Sequence, residues 1–208
     1  MNEFILQLDE FFCEKYANYD KLCLLPGYKM PLMQKSEIRE DGRTYAYTLP
    51  AETMSLSRQE KKAEILAELK SRMVDITFSF SFRPIGLFRR IKNSFSKYAP
   101  NKILNGMLKK YKLTDADVLK TIDISPKSWK GIRKNKYLPT KNLIFSLGLV
   151  GQFSYDDLQV LLKICDYEFV YTYVKDVIMD YLFRERVFNP AMLQCALDEY
   201  KIDNLFLK

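Results

Sequence analysis

Four hydroxyl residues cut the second half of this chain into short pieces. Thr114, Ser125, Thr140 and Ser154 each stand just before a run whose apolar residues recur three and four apart. At such a position a side-chain oxygen satisfies free N–H groups of a helix's first turn. At Ser125 the signal is reinforced by Pro126, which suits the first helical position because its missing N–H is not needed there. Asn101 is expected to cap a preceding helix running to Tyr111, and Asp157 to support the Ser154 cap. Five short helices then follow one another between Asn101 and Cys165, and helices that short bury their apolar faces only by packing into a bundle.

The third of these helices is basic. Trp129 and Ile132, three residues apart, are expected to face inward, with Lys127, Lys130, Arg133 and Lys134 toward solvent and Asn135 as the left-handed residue that ends the helix. Between Ser125 and Lys141 there are six basic residues and no acid. The net charge of +7 is unevenly spread: residues 1–82 carry −2, residues 83–141 carry +13, and residues 142–208 carry −4. One concentrated basic segment is the footprint expected for phosphate backbones or, less often, for an acidic membrane surface or protein.

The chain is expected to be mainly α, with a small N-terminal α+β unit ahead of an all-α bundle and a C-terminal helical extension. Phe4, Leu8, Phe11, Phe12 and Tyr16 make one face of a helix over 3–18, with Glu3, Glu10 and Glu14 toward water. That helix is either a core element of the N-terminal region or a docking helix. Leu22 to Leu25 reads as extended and ends in the Pro26-Gly27 turn. A short strand is expected over 43–49, and a capping box at Ser57 to Glu60 opens a helix carrying Ala63, Ile65, Leu66 and Leu69. Asp75 to Phe82 alternates as a strand does, its phenylalanines forming either the core face of a sheet or a stacking platform for bases.

From Arg83 to Leu113 there are nine basic residues and no acid. Residues 83–97 read as a basic connector containing a short amphipathic helix, with Leu87, Phe88, Ile91 and Phe95 inward and Arg89, Arg90, Lys92 and Lys97 outward, ending before Pro100. Domains are accordingly expected at 1–97 and 98–208. The C-terminal apolar residues Tyr173, Val174, Val177, Ile178, Tyr181 and Leu182, followed by Met192 to Leu197, suit a packing face or the contact of a homodimer.

The run TDADVLKTIDISPKSWKGIRKNKYLPT, Thr114 to Thr140, resembles the lambda-repressor/Cro-like (XRE-type) helix-turn-helix family. The threonine opening the first motif helix, Ile124-Ser125 before the second, Ser128-Trp129, Ile132, Asn135-Lys136 and Pro139-Thr140 all carry the likeness. With flanking helices it covers about 101–167. The part beyond, with DVIMDYLF, is similar to an uncharacterised bacterial helical module bearing such a motif. The resemblance implies a helix-turn-helix over 114–135 whose recognition helix, 126–134, enters the major groove of DNA. The side chains expected on nucleic acid are Lys127, Ser128, Lys130, Arg133, Lys134, Lys136 and Lys141, joined by Arg89, Arg90 and Lys92 of the connector.

The same resemblance limits the expectation. The positions that usually read bases fall on Pro126, Lys127 and Gly131, and only lysine offers a polar side chain there. The family's usual phosphate-gripping glutamine is Asp115, its small helix-crossing residue is Leu119, and its turn glycine is Asp123. Phosphate contacts position a protein without choosing a sequence. Two functions are therefore expected in turn: a DNA-binding transcriptional regulator of bacterial or phage origin, and an interaction module, such as an adaptor or a defence or counter-defence factor, that meets an acidic protein or RNA.

Catalysis is not expected. The chain has no histidine, which removes Ser-His-Asp and Cys-His nucleophiles, and its four cysteines are too scattered to hold zinc. No cofactor or metal is expected. The opening MNEFILQLDEFF lacks the basic start of a secretory signal, and the longest uncharged run, Asn142 to Tyr155, is too short to span a bilayer. A cytoplasmic location and no membrane partner are the corresponding expectations.

Overall fold

The computed structural model describes residues 2–17, 34–38, 44–48, 62–73, 81–203 and 205–208. The chain is mainly helical, with ten helices among the described residues and two small two-stranded sheets. It divides into two compact units, one made of Met1–Tyr16 with Val74–Lys208 and a smaller one of Ala17–Met73. Both the N-terminal helix and residues 74–97, which the sequence reading assigns to the first domain, count in this division with the C-terminal helices.

In the smaller unit, β1 (Gln34–Ile38) pairs antiparallel with β2 (Thr44–Thr48), setting Lys35 opposite Tyr47 and Glu37 opposite Tyr45. Helix α2 (Lys62–Arg72) buries Leu66 and Leu69. Ala63, expected among its apolar anchors, is exposed. The expected Leu22 to Leu25 segment, the Pro26-Gly27 turn, the capping box at Ser57 to Glu60 and most of the strand from Asp75 lie outside the described residues. Ser81 and Phe82, at the end of that expected strand, are not in one.

In the larger unit, α1 (Asn2–Lys15) has the expected amphipathic face, with Phe4, Leu8 and Phe12 buried and Glu3, Glu10 and Glu14 exposed. After β3 (Arg83–Pro84) come α3 (Leu87–Phe95), α4 (Pro100–Lys110), α5 (Asp115–Thr121) and α6 (Pro126–Arg133). Next are β4 (Tyr137–Leu138), α7 (Lys141–Gly151), α8 (Tyr155–Ile164), α9 (Val174–Arg184) and α10 (Pro190–Glu199). Strand β3 pairs antiparallel with β4, a two-residue ladder that joins the start of the expected connector to a bundle expected to be all helix.

The caps behave as the hydroxyl pattern predicts. Thr114 Oγ1 accepts from Asp117 N while the Asp117 carboxylate accepts from Thr114 N, a reciprocal capping box, and Ser125, Thr140 and Ser154 each accept from the third residue of their helix. Asn101 is a correction. Helix α4 begins two residues earlier than that cap implies, with Pro100 at its first position and Ala99 before it, so Asn101 lies inside the first turn and caps nothing.

Helix α7 is the centre of the bundle. Every residue from Asn142 to Leu149 is buried, as suits a helix that is apolar all round. Helix α9 is nearly as enclosed, buried from Lys175 to Phe183. Much of the face read from sequence as a packing or subunit contact is used within the chain, although Tyr173 is exposed: Phe4 and Phe11 of α1 lie against Tyr181, at ring separations of 6.2 and 5.2 Å. Phe12 lies 4.9 Å from the Tyr200 ring, and Tyr200 Oη donates to Asp9 at 2.7 Å.

Candidate nucleic-acid interface

Helix α6 is seated by its apolar side and by a polar clamp on α5. Trp129 and Ile132 are 2% and 1% exposed, as their spacing predicts. Trp129 Nε1 donates to Asp115 Oδ1 at 2.8 Å, and the same carboxylate oxygen pairs with Arg133 Nη1. Arg133 also donates through Nε to Asn105 of α4, with its guanidinium 5.7 Å from the centre of the Trp129 ring. Asp115 is thus a bracket that holds the recognition-helix candidate against its neighbours. Arg133, expected on the DNA backbone, is half-buried and turned inward by that bracket.

The connection between α5 and α6 is held from behind by the end of the chain. Ile122 and Leu207 form an antiparallel bridge, Asp123 N donates to Phe206 O at 2.8 Å, and Lys208 N donates to Thr121 O at 3.0 Å. Phe206 is itself anchored, its N–H donating to the buried Ser146 hydroxyl of α7 at 2.9 Å. No periodicity in residues 121–124 or 206–208 signals this pairing, because a two-residue backbone bridge leaves no side-chain pattern.

Gly131 has a packing role. It is buried, and a Cβ there would stand 2.6 Å from Cε2 of the Tyr137 ring, so the tyrosine lies where another residue's side chain would be. Asn135 ends the helix with φ 59°, the left-handed conformation that asparagine tolerates better than most residues. Its buried side chain accepts from Asn93 Nδ2 at 3.0 Å.

The ten side chains expected at the interface separate into two groups. Lys127, Lys130, Lys134, Lys136 and Lys92 are exposed, and Arg90 is half-buried. The others have partners within the chain, Arg89 at an exposed position and Ser128, Arg133 and Lys141 at partly buried ones. The Ser128 hydroxyl is 2.9 Å from that of Ser125. Arg89 pairs with Asp166 at 2.7 Å. Lys141 pairs with the buried Asp176 carboxylate and donates to Glu168 O at 2.6 Å, leaving its side chain 18% exposed. Burial pushes the Asp176 carboxyl up from its ordinary range, against the pull of the Lys141 ammonium beside it. Lys141 is therefore a structural counter-charge.

What the structure adds is the meeting of the two basic segments. Arg90 and Lys102 from the first and Lys134 from the second line one surface groove of about 620 Å³, together with Asn93, Asn101 and Asn135. Lys102 was not singled out in the sequence, where it reads as one lysine among many on α4; only the position of α3 across the end of α6 gives it a place. The Asn101 carbonyl oxygen is buried there without a hydrogen-bond partner. Among the described residues, no three His, Cys, Asp or Glu side chains come together as metal ligands.

A comparison with protein-family models, curated proteins and solved structures finds no match to this chain.

Proposed function

We propose that this chain is a DNA-binding protein of lambda-repressor-like helix-turn-helix type, most simply a transcriptional regulator, non-enzymatic and cytoplasmic. Helices α5 and α6 would form the motif, and Lys127, Lys130, Lys134 and Lys136 would grip phosphates along the major groove. The observation that supports this reading is the shared groove: Arg90 and Lys102 of the first basic segment and Lys134, at the C-terminal end of α6, line it together. Such a surface extends the contact along a backbone beyond one short helix.

The number of lysines sets the expected salt dependence. Four neutralised phosphates on duplex DNA predict a log affinity that falls with log salt at a slope of about −4. Anisotropy of a labelled duplex titrated with salt measures it. Binding that ignores salt, or no binding at low salt, would sink the proposal.

One observation favours a second reading, an interaction module that keeps this fold without reading DNA. Of the three usual readout positions, Gly131 is sealed beneath Tyr137 and Pro126 has no polar group, which leaves Lys127. Charge reversal at Lys127 and Lys130 separates the two: it abolishes duplex binding on the first reading and leaves it unchanged on the second.

A further inference from the structure

Helix α3 is mounted with its apolar side outward. Its sequence predicts an inward face of Leu87, Phe88, Ile91 and Phe95, yet these side chains are 72%, 90%, 60% and 85% exposed, and Tyr98 in the following turn is 75% exposed. The polar side holds the helix in place. Asn93 is buried on Asn135, the Asn135 amide reaches Arg90 O, and Arg89 pairs with Asp166 at 2.7 Å. Single exposed apolar residues are ordinary on protein surfaces, but a contiguous ridge of four on one short helix marks a contact surface.

The surroundings of the ridge indicate what covers it. On the helical wheel Lys92 falls beside Phe88 on the flank of the apolar stripe; Lys97 follows the helix and Arg83 precedes it, and all three are exposed. From residue 83 to residue 113 there is no acid to offset them. A second copy of this chain would bring the same cations against themselves. Phe88 and Phe95 stand almost wholly clear of the protein, while Leu87 and Ile91 also line the groove of Arg90, Lys102 and Lys134. Protruding apolar side chains bordered by cations fit a deformable surface with acidic groups at its face and hydrocarbon beneath, the arrangement used by helices that lie in a membrane interface.

We infer that α3 is an interfacial anchor that docks this protein on acidic lipid, with Leu87, Phe88, Ile91 and Phe95 at the headgroup–acyl boundary and Arg83, Lys92 and Lys97 at the phosphate level. Among the described residues no helix is long and apolar enough to cross a membrane, but lying on a surface requires no span. The inference does not require DNA binding, since Lys127, Lys130 and Lys136 take no part in it, although Leu87 and Ile91 line the same groove as Arg90, Lys102 and Lys134.

Co-sedimentation of the full chain with vesicles tests it. Each basic residue near an acidic surface contributes about fivefold in affinity, so the three cations predict about 100-fold tighter binding to phosphatidylserine-containing vesicles than to phosphatidylcholine alone. The double variant Phe88→Ser/Phe95→Ser, at two exposed positions, keeps its thermal unfolding midpoint and loses vesicle binding. Lys127→Glu/Lys130→Glu, on the other helix, retains it. Absence of binding to acidic vesicles overturns the inference, as does binding that survives loss of both phenylalanines. So does a wild-type dimer that Phe88→Ser/Phe95→Ser converts to monomer in sedimentation velocity, because the ridge is then a subunit contact.

Discussion

Asn93 Nδ2 donates to Asn135 Oδ1 at 3.0 Å, and both side chains are buried. This bond ties the connector helix α3 to the left-handed residue that ends α6. Glycine at 135 keeps the backbone conformation and loses the side-chain bonds to Asn93 and to Arg90 O, orphaning the Asn93 amide at a cost of about 1–2 kcal/mol. Alanine loses the bond and adds about 1 kcal/mol for its own left-handed conformation. Urea midpoints should therefore rank wild type above Asn135→Gly above Asn135→Ala. If alanine is tolerated as well as glycine, the backbone at 135 is not the constraint described.

Lys141 stands over the buried Asp176, and its loss strands that carboxylate. Lys141→Met should destabilise the protein by about 3–5 kcal/mol. Adding Asp176→Asn, which stays neutral while accepting from Val170 N, should recover most of the loss. Lys127→Ala, on the exposed face, should change stability by about 0.5 kcal/mol or less. Chemical denaturation of the four proteins checks the ranking.

In the duplex assay the two groups of cations should separate. Lys130→Ala and Lys134→Ala are each expected to flatten the salt slope by about 1. Arg133→Ala should leave the slope nearly unchanged, because that guanidinium is already paired with Asp115. An equal change for all three variants would mean that Arg133 leaves its bracket on binding.

Gly131→Ala should cost about 1–3 kcal/mol through overlap with the Tyr137 ring. Most of that cost should disappear in a Tyr137→Ser background. A double-mutant cycle on unfolding free energy reads the coupling, and additive effects would remove the packing explanation for this glycine.

Acid should weaken the junction between α4 and α8. The Asp157 carboxyl is partly buried, which pushes it up, but the Lys110 ammonium at 2.5 Å and the Tyr111 and Ser154 hydrogen bonds outweigh that and hold it below its ordinary range. A carboxylate depressed in the folded state binds fewer protons there than in the unfolded chain. Its stabilisation is present above the unfolded value of about 3.9 and is lost as pH falls through the folded value. Asp157→Asn should therefore flatten the decline in thermal midpoint below about pH 4. An unchanged acid limb would assign that decline to other carboxylates.

The helix starts were legible because a cap is a local event: Thr114, Ser125, Thr140 and Ser154 act on backbone groups two or three residues away. The inward pair Trp129 and Ile132 was legible for the same reason. Helix α3 was misread although its period was right, since periodicity shows that a helix has two faces and not which one meets the protein. Arg133 and Lys141 were misread because a lysine or arginine looks the same in sequence whether its partner is solvent, phosphate or a carboxylate brought close by folding.

What the sequence determined by itself was a set of short capped helices and a concentration of positive charge in residues 83–141, since both depend on neighbours along the chain. Only the tertiary structure decided which of those charges stay available, that α3, α4 and the end of α6 place Arg90, Lys102 and Lys134 on one groove, and that an apolar ridge faces outward. Those outcomes depend on contacts such as Asn93 with Asn135, Asp115 with Arg133 and Lys141 with Asp176, whose partners are separated by many residues and meet only when the helices pack.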